Sequence, residues 1–99
     1  MYACYKINMF KPKVCYGTTE NSPVTFQSSR DDPIEKRVST VGKAHPHVEA
    51  KIIDEEGLIV ERGCTGELCT RGYMVMQGYW GDETKSKDVI QADRWYRTG

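Results

Sequence analysis

Ninety-nine residues carry 14 Lys and Arg against 14 Asp and Glu, a formal net charge of zero. That balance argues against a dedicated nucleic-acid module, in which a basic excess is the rule. Apolar residues make up 38% of the chain and charged residues 28%, a composition that folds, at a length that suits one small domain or a piece of a larger one. No apolar run approaches the roughly 20 residues of a membrane span, and no basic-then-apolar signal segment opens the chain.

In chain order, residues 1–12 hold Tyr2, Tyr5, Ile7, Met9 and Phe10 without a clean period. They read as the end of something longer, broken by Asn8 and Pro12. Lys13 to Tyr16 is a short strand candidate, with Val14, Cys15 and Tyr16 running into Gly17. The stretch from Thr18 to Pro23 has loop composition, and Val24-Thr25-Phe26 is a second β-prone run. Gln27 to Arg37, with Ser28-Ser29 and Asp31-Asp32-Pro33, reads as a solvated loop. Val48, Ala50 and Ile52 alternate with Glu49 and Lys51, the best period-2 strand of the chain, and Ile53 ends it. Asp54 to Gly57 is a turn, and Leu58 to Val60 returns as the second arm of a hairpin. Gly66 to Gly72 holds a third strand, with Glu67 and Cys69 on one face and Leu68 and Thr70 on the other. Asp82 N-caps a short helix that runs to Ile90. Asp93 to Arg97 begins a last strand.

The four cysteines are Cys4, Cys15, Cys64 and Cys69. Nothing marks the chain as secreted, so they read as thiols. A metal module built from them with His45 and His47 is one alternative, although neither cysteine pair has zinc-finger spacing.

Tyr16-Gly17-Thr18-Thr19-Glu20 is the strongest local signal. A ring at a strand end stacks on a base, and a glycine lets the backbone approach closely. Threonine hydroxyls and turn N–H groups donate to phosphate oxygens. A glutamate holds a Mg²⁺ that bridges phosphates. Taken alone, the same five residues also suit a polar strand-to-loop turn with a surface glutamate.

Two further motifs follow: Gly66-Glu67-Leu68 to Gly78-Tyr79, and Trp95-Tyr96-Arg97-Thr98-Gly99. In this order the three resemble the adenylate-forming (AMP-binding) superfamily of acyl-CoA synthetases, peptide-synthetase adenylation domains and luciferases. The resemblance runs from about residue 6 to residue 99. Lys6 to Met9 and the stretch from Tyr16 to Gln27 bring it nearest to the medium-chain acyl-CoA synthetases.

The resemblance implies a mainly β fragment with one short helix, taken from an enzyme that combines an α/β region with a β-barrel. Residues 1–37 would end the α/β region, and residues 38–99 would form the truncated β-barrel subdomain. The implied activity is an ATP-dependent fatty acid:CoA ligase that works through an acyl-adenylate, with ATP, Mg²⁺ and CoA. Tyr16 would pack on adenine, Gly17 and Thr18 would line the adenylate, Thr19 would contact phosphate, and Glu20 would hold Mg²⁺. Val14, Cys15, Asn21 and Ser22 would border the acyl pocket by adjacency. Glu67, Arg71, Gly72 and Tyr79 would be architectural, and Trp95 and Tyr96 core.

The family's phosphate loop, ribose-binding aspartate and catalytic lysine have no match in these residues. The isolated chain is therefore expected to be inactive, with no complete catalytic set. Its partners would be small molecules in the parent enzyme, with the rest of that fold covering the segment. The mitochondrial location comes from the resemblance alone. The alternative is a truncated, non-catalytic binding or interaction protein derived from the same fold.

Overall fold

The computed structural model describes residues 13–99. The reading of residues 1–12 and that of Cys4 lie outside them. Strands β1 (Cys15–Gly17), β2 (Val24–Gln27) and β3 (Lys43–Ala44) form one antiparallel sheet in the order β1-β2-β3. Strands β4 (Glu49–Ile53), β5 (Glu67–Arg71) and β6 (Tyr96–Arg97) form a second, in the order β4-β5-β6. The expected mainly β character holds, but the two sheets do not close into a barrel among the described residues.

β4 forms where the alternation predicts a strand, but its buried residue is Ile53, whereas Ala50 is exposed and Ile52 half-buried. Glu49 lies opposite Arg71 and Ile53 opposite Glu67. The Arg71 guanidinium donates to both Glu49 carboxylate oxygens, at 2.6 and 3.0 Å, the two-pronged geometry for which arginine is suited. Both faces of β5 are covered, because Cys69 and its neighbour Thr70 are each fully buried. Cys69 joins Ile53 and Trp95 in one apolar cluster. Met74, Val75, Ile90 and Tyr96 form another, with Val48, Met76 and Val89 against it. Trp95 and Tyr96 are thus core residues, as expected. Lys51 and Arg71 stand over the Trp95 ring at 4.2 and 4.7 Å, which adds cation–π attraction to burial.

The hairpin after β4 is only partly a hairpin. Asp54 Oδ1 accepts from the Glu56 and Leu58 amides, a side-chain-closed turn. The return arm then makes a single bridge, Ile53 to Ile59. Leu58 and Ile59 are 64% and 72% exposed. Their β-prone side chains reach no core, so no strand develops there.

Two short α-helices are present among the described residues. The one over Glu83–Val89 (α2 in chain order) is capped as expected, with the Lys85 amide donating to Asp82 Oδ1 at 3.0 Å. Ile90 follows it into the core. The other, α1 (Ile34–Ser39), lies partly in the stretch read as a loop. Pro33 is its N-cap residue, with ψ at 145°, and the Arg37 amide donates to the Pro33 carbonyl at 3.1 Å to close the first turn. Polar composition hid this helix because it exposes nearly everything except Arg37. It also runs across the 37/38 boundary, and β3 pairs back onto β2, so the first sheet continues past residue 37. No helix among the described residues is long and apolar enough to cross a membrane.

Candidate functional site

Tyr16 to Ser22 is built by a close approach of two chain segments. β1 pairs with β2 through Tyr16–Phe26 and Gly17–Val24, and the register shifts between Tyr16 and Gly17. A Cβ on Gly17 would sit 1.6 Å from the Pro23 carbonyl oxygen, so only glycine lets the loop close here. The chain then makes a single 3₁₀ turn, Thr19–Asn21, with the Asn21 amide donating to the Thr18 carbonyl at 2.9 Å. Ser22 ends the turn in the left-handed region at φ 61°.

Long-range contacts hold that turn from outside. The Thr70 hydroxyl of β5 donates to Asn21 Oδ1 at 2.9 Å, a buried bond. Asn21 Nδ2 donates to the Thr18 hydroxyl at 3.0 Å. The Met76 amide donates to the Glu20 carbonyl at 2.8 Å. The Tyr79 hydroxyl donates to Glu20 Oε1 at 2.9 Å. The turn is therefore shaped by β1 and β2 but oriented by β5 and the 72–79 loop.

Glu20 is held below the usual carboxylate range. Its own backbone amide is the largest cause and the Tyr79 hydroxyl the next, and partial burial opposes them. Thr18 and Lys85 add smaller contributions in the same direction. The Tyr79 phenol is raised in turn, chiefly because it donates to Glu20. Burial raises the Tyr96 phenol, against a hydrogen bond with Thr18. The carboxylate is thus an anion at neutral pH.

The sequence-predicted residues fall into distinct positions. Tyr16 is half-buried, with its ring 6.1 Å from that of Phe26. Thr18 and Glu20 are half-buried, and Gly17 and Thr19 are exposed. Val14 is half-buried and its amide donates to Ser28 Oγ. Cys15 and Ser22 are exposed, whereas Asn21 is fully buried with its side chain engaged by Thr18 and Thr70. Two participants were not legible in the sequence as members of this site: Thr70, and the Tyr79 hydroxyl. Both act across long separations, 49 and 59 residues, and no local pattern announces such a pair.

Among the described residues no three His, Cys, Asp or Glu side chains come together. A metal here would have Glu20 as its protein carboxylate. That donor set suits Mg²⁺, which keeps several waters and takes one or two carboxylates together with substrate phosphates.

The AMP-binding enzyme family model matches residues 4–80. The chain belongs to the AMP-binding enzyme family. Among relatives, the medium-chain acyl-CoA ligase ACSF2, mitochondrial, of Bos taurus is 50% identical over 95 residues, covering 95% of this chain and 15% of the ligase. The amide bond synthetase McbA of Marinactinospora thermotolerans superposes with a TM-score of 0.82 at 33% identity, over 98% of this chain and 19% of that one. The anthranilate CoA ligase AuaEII, in complex with anthranoyl-AMP, superposes with a TM-score of 0.85 at 28% identity, over 99% of this chain and 18% of that one. The chain thus spans about 15% of the length of the curated relatives it matches.

Proposed function

We propose that this chain is the part of an ATP-dependent fatty acid:CoA ligase that forms one wall of its adenylation site. In that reaction a fatty-acid carboxylate attacks the α-phosphorus of ATP and pyrophosphate leaves. The CoA thiol then attacks the acyl carbon of the adenylate, and AMP leaves with the bonding electron pair. Both steps put charge on phosphate or carbonyl oxygens, so positioning and fixed electrostatics carry most of the acceleration.

The observation that carries the reading is the convergence on Glu20. Its carbonyl and its carboxylate are both held by the segment from Met76 to Tyr79. In this reading Tyr16 packs on adenine, and the backbone at Gly17 and Thr18 lies along the adenylate. Thr19 offers its hydroxyl to phosphate, and Glu20 is the carboxylate that holds Mg²⁺. The metal would supply charge neutralisation for the phosphates. Val14, Cys15, Asn21 and Ser22 lie beside the acyl group, with the Asn21 side chain acting through Thr18 and Thr70. The similarity to ligases named as mitochondrial and medium-chain supports that substrate class and that location.

Exposed Tyr73 and Trp80, at 78% and 103%, support a partner surface supplied by the remainder of the enzyme. The isolated chain is inactive in this reading, because one wall cannot order ATP and acid together. The test is octanoate-dependent ATP–pyrophosphate exchange in the full-length protein that carries this segment. Glu20→Gln and Thr19→Ala should each lower exchange by about 10²-fold, the scale for removing a preorganised electrostatic contact. Wild-type exchange in Glu20→Gln, or CoA-thioester formation by the 99-residue chain alone, would overturn the reading.

A further inference from the structure

We infer that Tyr79 is a positioning residue for Glu20. Its hydroxyl fixes the carboxylate that the proposed function assigns to Mg²⁺, and the inference rests on that assignment. A glutamate side chain at a half-exposed turn samples several rotamers, and holding it in one costs conformational entropy. Here the cost is offset by a donor that is itself held in place by α2. The Tyr79 amide donates to Ser86 Oγ at 2.7 Å. Ser86 Oγ in turn donates to the Asp82 carbonyl at 2.7 Å. The Lys85 ammonium stands 4.8 Å from the centre of the Tyr79 ring. A Cβ on Gly78 would meet Ser86 Oγ at 2.9 Å, so the glycine before Tyr79 is what lets α2 approach this closely.

The start of α2 therefore locates Tyr79, and Tyr79 locates the Glu20 carboxylate. The Met76 amide pins the same residue's carbonyl from the same loop. Backbone and side chain of Glu20 are thus referenced to one segment. This is the arrangement by which outer groups orient a metal ligand, and losing such a group commonly weakens metal binding 10- to 100-fold.

The test measures nucleotide affinity by calorimetry, with and without Mg²⁺, in the full-length protein that carries this segment. Tyr79→Phe should weaken MgATP binding by about tenfold and leave metal-free ATP binding unchanged. A purely structural role would weaken both together. Adding Tyr79→Phe to Glu20→Gln should produce no further loss, because the phenol acts only through that carboxylate.

Unchanged MgATP affinity in Tyr79→Phe overturns the inference, and so does a full additional loss in the double variant. If Glu20→Gln itself leaves MgATP affinity unchanged, the assignment of Glu20 to the metal fails instead. Should Tyr79→Phe not fold, Ser86→Ala carries the same test. It removes the acceptor of the Tyr79 amide and keeps the phenol, so it should weaken MgATP binding selectively and in the same direction. Unchanged affinity in that variant overturns the inference.

Discussion

Replacing Thr70 by valine isolates the buried tether between the two sheets. Thr70 and Asn21 are both fully buried, and the Thr70 hydroxyl is the donor to Asn21 Oδ1 at 2.9 Å. Valine matches threonine in size and keeps β propensity, so the change opens no cavity and costs β5 nothing in backbone preference. What it removes is the donor, at a site buried from solvent. A buried acceptor left without a partner costs about 1–3 kcal/mol. A native domain has a total stability of roughly 5–15 kcal/mol, so in the protein that carries this segment the loss is a large share of it. With a urea m-value of about 1–2 kcal/mol/M for a small protein, the midpoint should fall by roughly 1 M.

Asn21→Ala should cost more, because it also breaks the bond to Thr18 and strands the Thr70 hydroxyl. The pair measured together should show a coupling of at least about 0.5 kcal/mol, the lower edge for residues in direct contact. Urea unfolding followed by tryptophan fluorescence reads all three variants, since Trp95 is buried beside β5. A Thr70→Val midpoint within error of wild type, or zero coupling in the cycle, refutes the tether.

Gly17→Ala should abolish cooperative folding or lower Tm by more than 10 °C, about the shift for a loss of 2 kcal/mol, because the added Cβ meets the Pro23 carbonyl at 1.6 Å. Gly57→Ala, at φ +82° with nothing within 4 Å, should lose only the left-handed penalty of about 1–2 kcal/mol; the two Tm values measured together check the contrast. Cys69 is fully buried and its thiol is raised, chiefly by that burial. In a timed alkylation read by mass spectrometry at pH 8, Cys15 and Cys64 should label first and Cys69 only as urea opens the fold. The carboxyls of Glu20, Glu49 and Glu67 all titrate below their ordinary value, by hydrogen bonds from Glu20's own amide, Arg71 and Arg97 respectively. Their stabilisation is therefore complete above the free-carboxylate range and is lost as pH falls through the lowered values. Tm should be flat from pH 7 down to about 5 and should fall below that, and Glu67→Gln should shallow the acid limb.

Local chemistry was legible in the sequence wherever the partner was close along the chain. Alternation of Val48, Ala50 and Ile52 gave β4, and Asp82 gave the start of α2, since both signals depend on neighbours within one strand or one turn. Helix α1 was not legible, because its sequence is mostly polar and the proline that precedes it reads equally as a loop breaker. The return arm at Leu58 to Val60 failed in the opposite sense. Its residues favour a strand, but nothing in the string says whether a core lies opposite them, and the structure leaves Leu58 and Ile59 in solvent.

The site divides along the same line. Tyr16 to Glu20 could be singled out because a ring, a glycine, two hydroxyls and a carboxylate stand consecutively, each suited to a different part of a nucleotide. Asn21 could be placed only by adjacency, and its side chain turns out to be fully engaged by Thr18 and Thr70. Tyr79 was legible as one residue of a motif but not as a partner of Glu20. Its backbone conformation follows from Gly78 and Ser86, whereas the target of its hydroxyl depends on how two sheets dock. That docking also gives a physical reason for the motifs to occur together. A turn held by Thr70, Met76 and Tyr79 cannot keep its geometry if the downstream segment changes shape. Conversely, the Thr70 hydroxyl would be an unpaired buried donor without Asn21. The first two motifs therefore form one mechanical unit, and a substitution in either should be felt at Glu20.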